Sequence, residues 1–177
     1  MAETQKLEGS TAQKVTDLLL RGLINLALAL PLRMRLWFIG MLLRRVVSPL
    51  AGYRSRAIAN LGYIYPDLDM SRKRQIADAV ADNAGRTLIE NYDVLGLKER
   101  MRDADFEGKG FEVVKEAHAS GRPVIFVTGH FGNFEAPRAA LVAQGFEFGG
   151  LYRPMSNPFF NAHYAKNMHS LSGPVFE

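Results

Sequence analysis

A chain of 177 residues with 47% hydrophobic content has room for one moderate core. It has no cysteine, which excludes a disulfide framework and a thiolate metal site and fits a cytoplasmic compartment. The net charge of +4 is carried in clusters, Arg33 and Arg35, Arg44 and Arg45, Arg54 and Arg56, then Arg72-Lys73-Arg74, set among Leu, Trp and Phe. No nucleic-acid motif accompanies them, so nucleic acid is not the expected partner. Basic clusters in apolar segments suit anionic lipid headgroups, at about 1 kcal/mol per residue near the surface.

Residues 1–14 read as a disordered polar tail. Residues 15–53 read as a membrane-associated helical region rich in Leu. Its longest charge-free run, Gly22 to Leu32, is eleven residues. At about 1.5 Å per residue that covers roughly half a hydrocarbon core. Arg21, Asn25 and Pro31 interrupt it further. Leu36 to Leu43 is a second apolar run, flanked by arginines, in which Trp37 and Phe38 suit a membrane interface. Helices lying in or dipping into one leaflet are therefore expected, with a single-pass anchor as the alternative.

Ser71 is placed to cap a helix whose apolar stripe runs through Ile76, Ala79, Val80, Ala84, Leu88 and Tyr92, and Gly96 to end it. Phe111 to His118 predicts another helix, with His118 on the surface near its C-terminus. Val124 to Val127 is short, β-branched and aromatic, and predicts a buried strand that Gly129 ends. Pro137 is tolerated only in a first helical turn, so the next helix should begin near Phe134, capped by Asn133 and closed by Gly145. The next strand and its loop are expected over Gly149 to Pro158, and a helix over Asn157 to Ser170, beginning after Pro158.

The strand-turn-helix unit carries the chemistry. His130 and Glu135 are five positions apart. On one continuous helix they would point about 140° away from each other. Across a turn into a helix they can meet. The helix N-terminus carries partial positive charge, which suits a carboxylate there and a neutral imidazole beside it. An imidazole oriented by a carboxylate can serve as a general base. The pair has no third ligand at short spacing, so no metal is expected.

The segment HFGNFE, His130 to Glu135, is followed by Tyr152-Arg153-Pro154 and Asn157-Pro158. In these blocks the chain resembles the lipid A late acyltransferases, the lauroyl and myristoyl acyltransferases of Gram-negative bacteria, within the wider lysophospholipid acyltransferase group. Weaker echoes are Tyr65-Pro66-Asp67-Leu68, Asn83-Ala84-Gly85-Arg86 with Glu90, and Phe106-Glu107-Gly108. The resemblance spans roughly Arg54 to Glu177.

It implies acyl transfer from an acyl carrier protein thioester to a hydroxyl of a lipid A precursor, with no further cofactor, in lipopolysaccharide biosynthesis. The place would be the cytoplasmic face of the inner membrane, with membrane lipids as a further partner. His130 would be the general base and Glu135 its orienting carboxylate. Arg153 and Asn133 would be the substrate-binding candidates, Arg153 toward phosphate and Asn133 beside its capping role. The fold implied is α/β: N-terminal membrane-docking helices, then a mainly parallel sheet with flanking helices. Residues 54–177 would be the N-terminal part of an acyltransferase domain. Relatives run on past the position of Glu177, so a truncated or fragmentary chain is expected. Two alternatives stay open: a non-catalytic membrane-associated remnant, or an acyltransferase for another glycolipid or lysophospholipid.

Overall fold

The computed structural model describes residues 8–176 and is mostly helical. Its residues fall into two compact units, one over Val15–Asp93 and the other over the described chain outside that span. Compactness thus divides the chain before Val15 and after Asp93.

Helix α1 spans Thr11–Leu28. Ser10 and Gln13 form a reciprocal cap at its start: the Gln13 N–H donates to Ser10 Oγ (3.2 Å) and the Ser10 N–H to Gln13 Oε1 (2.8 Å). Thr11–Lys14, expected in a disordered tail, is therefore the first turn of a helix. Residues 1–7 of that expected tail lie outside the described residues.

The unit from Val15 to Asp93 is all helix. Helix α2 (Leu32–Leu42) runs into a wider π turn over Leu43–Val47 and the short α3 (Ser48–Leu50), then α4 (Tyr53–Ile64) and α5 (Met70–Tyr92) follow. The cap of α5 is Asp69 rather than the expected Ser71, and its carboxylate accepts the Arg72 N–H at 2.8 Å. Both residue types cap well, and Asp69 stands three residues before the N–H it satisfies, where a capping side chain reaches best. The helix closes at Tyr92, earlier than Gly96, which lies inside the next helix, α6 (Val94–Arg100).

Ile24, Ala27, Ile39, Ala77, Ile89 and Tyr92 make the core of this unit. Helices α2 and α5 approach closely where Gly40 and Gly85 lack side chains. A Cβ on Gly85 would lie 2.7 Å from the Ile39 carbonyl oxygen and 2.9 Å from Gly40 Cα. Alanine normally favours a helix over glycine by about 0.5–1 kcal/mol. Here Gly85→Ala should instead destabilise by about 1–3 kcal/mol, because backbone has to move. A raised melting temperature for Gly85→Ala would show that the helices do not pack this tightly.

The basic clusters do not all face outward. Arg35 is 8% exposed; it donates to the Leu28 carbonyl and pairs with the Asp93 carboxylate. Lys73 is equally buried and donates to the Pro66 carbonyl at 3.2 Å. Their charge serves internal pairing, while Arg33, Arg45, Arg56, Arg72 and Arg74 stay exposed. Val15, Leu18, Leu19, Leu26, Met34 and Trp37 are exposed apolar residues of α1 and α2. No helix among the described residues is long and apolar enough to cross a membrane.

In the other unit, α6, α7 (Gly110–Ala119), α8 (Ala136–Ala143) and α9 (Pro158–Leu171) accompany two short strands, β1 (Gly150–Leu151) and β2 (Val175–Phe176). Val94, Leu97, Ala139, Val142 and Leu171 form its core, with Met101 and Phe148 against them. The strands pair in parallel, Gly150 with Val175 and Leu151 with Phe176. This is the sheet among the described residues, so the broad expectation of a parallel sheet with flanking helices holds only on a small scale. His118 is exposed near the end of α7, as expected, and stacks on Phe146 at 4.3 Å.

Val124 to Val127 departs from expectation: it belongs to no strand and is not buried. Exposure alternates along it, 39% at Val124, 90% at Ile125, 42% at Phe126 and 94% at Val127. That is the period of a strand with one covered side. Phe126 meets Phe148 at 5.2 Å, but no ladder partner among the described residues holds the backbone. A run of strand formers becomes a strand only when another backbone takes its hydrogen bonds.

Candidate functional site

The site is built on the turn that leads into α8. Gly132 has φ +53°, a left-handed conformation that glycine adopts without strain and that bends the chain after His130 and Phe131. Asn133 then closes the turn. Its side-chain oxygen accepts the Glu135 N–H at 3.1 Å, and its carbonyl accepts the Ala136 N–H at 3.0 Å. The helix starts at Ala136, two residues later than expected, with Pro137 in its first turn and Glu135 in the N-cap position. Asn133 does organise the helix start, through an Asx-type turn rather than as the cap residue itself.

This shift redirects the carboxylate. Glu135 Oε2 accepts from Arg138 Nη1 at 3.2 Å, and both side chains are largely buried, 14% and 7% exposed. The other end of Arg138 reaches α9: Nη2 donates to the Ser172 carbonyl at 2.8 Å and to that of Met168 at 3.3 Å. Arg138 therefore ties the start of α8 to the end of α9. His130 is exposed and tilts against Phe134, ring centres 4.9 Å apart. His130 and Glu135 share no hydrogen bond among the described residues; the meeting that the turn permits is not made here.

The Tyr152-Arg153-Pro154 block comes to the same unit through β1 and α9. Tyr152 donates its N–H to the Phe176 carbonyl, and its ring lies 6.2 Å from that of Tyr164. Asn161 donates to the Tyr152 hydroxyl at 3.4 Å and accepts the Met155 N–H at 2.9 Å, which pins the loop around Arg153. Asn157 caps α9, accepting from the N–H groups of Phe159 and Phe160. Arg153 itself is exposed and makes no ion pair among the described residues.

Tyr164 links the two blocks electrically. Burial pushes its hydroxyl above the ordinary phenol value of 10.0, and the Glu135 carboxylate pushes it further, against the opposing pull of Arg138. A raised phenol favours folding below the unfolded value, and that contribution is lost as pH climbs through the folded one. Stability should therefore fall above about pH 10, and Tyr164→Phe should flatten that alkaline limb. Urea midpoints measured between neutral and strongly alkaline pH check this; equal limbs in both proteins would contradict it.

Arg138, Tyr164 and Asn161 are neighbours of the candidate residues that motif spacing does not reveal. Arg138 has a local signal, since a cation three residues after a carboxylate on a helix can pair with it. Tyr164 has none, because its distance from Glu135 in sequence, 29 positions, hides their electrostatic interaction.

His130, the anchored Glu135 carboxylate and Arg153 on its pinned loop thus belong to one compact unit. Residues 4–173 match the family model described as bacterial lipid A biosynthesis acyltransferase. The chain belongs to that family and is an acyltransferase of lipid A biosynthesis. No curated protein and no solved structure was found to match it.

Proposed function

We propose that the chain transfers a fatty acyl group from an acyl carrier protein thioester to a hydroxyl of a lipid A precursor, at the cytoplasmic face of the inner membrane. His130 takes the hydroxyl proton as the oxygen attacks the thioester carbonyl. The carbon–sulfur bond breaks, and the imidazolium returns its proton to the departing thiolate, leaving an ester and a free carrier thiol. The observation that carries this reading is the fixed Glu135, five positions after an exposed His130.

Arg138 occupies Glu135 Oε2 and leaves Oε1 for the imidazole. Hydrogen bonds of this kind are often unmade before substrate binds. Arg153, exposed and without an ion pair among the described residues, suits a phosphate of the acceptor or of the carrier's phosphopantetheine arm. Asn133 shapes the turn and borders the same region. The exposed apolar residues of α1 and α2, with Arg33, Arg45 and Arg56, suit membrane lipids as a partner.

The missing hydrogen bond between His130 and Glu135 favours one other reading, a membrane-associated chain that keeps the motif without turnover. The test is acyl transfer by the purified protein in membranes, from a radiolabelled acyl carrier protein thioester to a tetra-acylated lipid A precursor. Labelled product supports the proposal. Its absence, with the protein folded and membrane-bound, supports the non-catalytic reading; labelling only of an added lysophospholipid would move the acceptor to another class.

A further inference from the structure

In the unit Val15–Asp93, a recess of about 420 Å³ opens between the π turn and α5, lined by Arg44, Ser71, Arg74, Gln75, Asp78 and Asp82. Its carboxylates are already engaged. Asp78 takes Arg54 at 3.1 Å, and Asp82 takes Arg86 at 2.6 Å. Arg44 approaches Asp78 only to 3.7 Å, beyond hydrogen-bond distance, and its Nε is buried with no partner. Arg74 is exposed and makes no ion pair among the described residues. Gln75 uses its oxygen on Arg72, which leaves its amide N–H groups as donors, and Ser71 adds a hydroxyl.

The recess is therefore rich in donors. Two guanidiniums, Arg44 and Arg74, line it beside Asp78 and Asp82, whose closest partners are Arg54 and Arg86 from outside the lining, so Arg44 is held only loosely and Arg74 by no carboxylate among the described residues. The π turn matters because its wider winding rotates Arg44 relative to a regular helix, and such turns often mark functional positions. Two guanidiniums with hydroxyl and amide donors match the fork geometry and charge of a phosphate monoester. The volume leaves room for the group that carries it.

We propose that this recess is a binding site for a phosphate monoester. It rests on no part of the His130 site and stands or falls separately from the catalytic reading. The probes are phosphatidylcholine vesicles carrying phosphatidic acid, vesicles matched in surface charge with phosphatidylglycerol, and inorganic phosphate. The full chain should bind the phosphatidic acid vesicles tighter by about tenfold than the phosphatidylglycerol ones. Arg44→Gln with Arg74→Gln should abolish that preference. Arg44→Lys with Arg74→Lys, which keeps charge but loses the fork, should lower it while general anionic binding remains. Arg33→Gln with Arg45→Gln should weaken both vesicle types alike. If only inorganic phosphate raises the melting temperature, and does so in the wild type but not in the Gln variant, the monoester comes from a soluble source. No preference, no phosphate effect, or a preference that survives in a folded Gln variant overturns the site.

Discussion

His130→Ala should lower acyl transfer by about 10²–10⁴-fold while leaving stability unchanged. The imidazole is exposed and its ring contact is with Phe134, so its loss opens no cavity. The stability change should stay within about 0.5 kcal/mol. The fall should appear in kcat with little change in KM for the lipid acceptor, because a proton acceptor acts in the transition state rather than in binding. The labelled-acyl assay, run beside far-UV circular dichroism melts, separates these effects. Transfer within a few-fold of wild type would remove His130 from the reaction. Glu135→Gln adds a second readout: it keeps an acceptor for Arg138 but removes the charge that would stabilise an imidazolium. Transfer should fall while most of the fold's stability survives.

Arg138→Leu should be the most destabilising single substitution near the site. It strands the Glu135 carboxylate in a largely buried position and leaves the Ser172 and Met168 carbonyls without their donor. Breaking a buried pair by removing one partner costs about 3–5 kcal/mol. The cost comes from the unpaired charge more than from the lost attraction. Removing both charges, as Arg138→Leu with Glu135→Leu, should therefore recover part of the loss. Urea midpoints for the two singles and the double give the coupling directly. Additive single effects would mean that Glu135 and Arg138 do not act as a pair. Activity should fall in Arg138→Leu even where the protein is still folded, because Glu135 then loses its anchor.

The motif is legible in the sequence because its parts are local. HFGNFE needs one turn and one helix start, and Pro137 limits where that helix begins. Asn157 before Pro158 marks the start of α9 equally well, since capping and proline preference act within a few residues. The departures are of two kinds. Ser71 against Asp69, and Phe134 against Ala136, are choices between neighbouring residues that local chemistry ranks almost equally. Val124 to Val127 is different: its apolar run predicts a strand, but a strand is a relation between two backbones, and sequence shows only one of them.

The basic clusters show the same division. Composition places the arginines among apolar residues. It does not say that Arg35 turns inward to Asp93, 58 positions away, while Arg33 stays in solvent. It also gives no sign that Asp78 and Asp82 turn to Arg54 and Arg86, so that Arg44 is held only at 3.7 Å from Asp78.

The sequence by itself determined the family, the presence of helices α5, α7, α8 and α9, and His130 and Glu135 as the residues to watch. Those depend on residue type and short spacing. Only the tertiary structure decided which way Glu135 turns. Its carboxylate goes to Arg138 because the helix begins after it and because α9 supplies carbonyls that hold the guanidinium from the other side. A buried carboxylate settles on the partner that is itself fixed, and that partner is fixed by residues thirty or more positions down the chain.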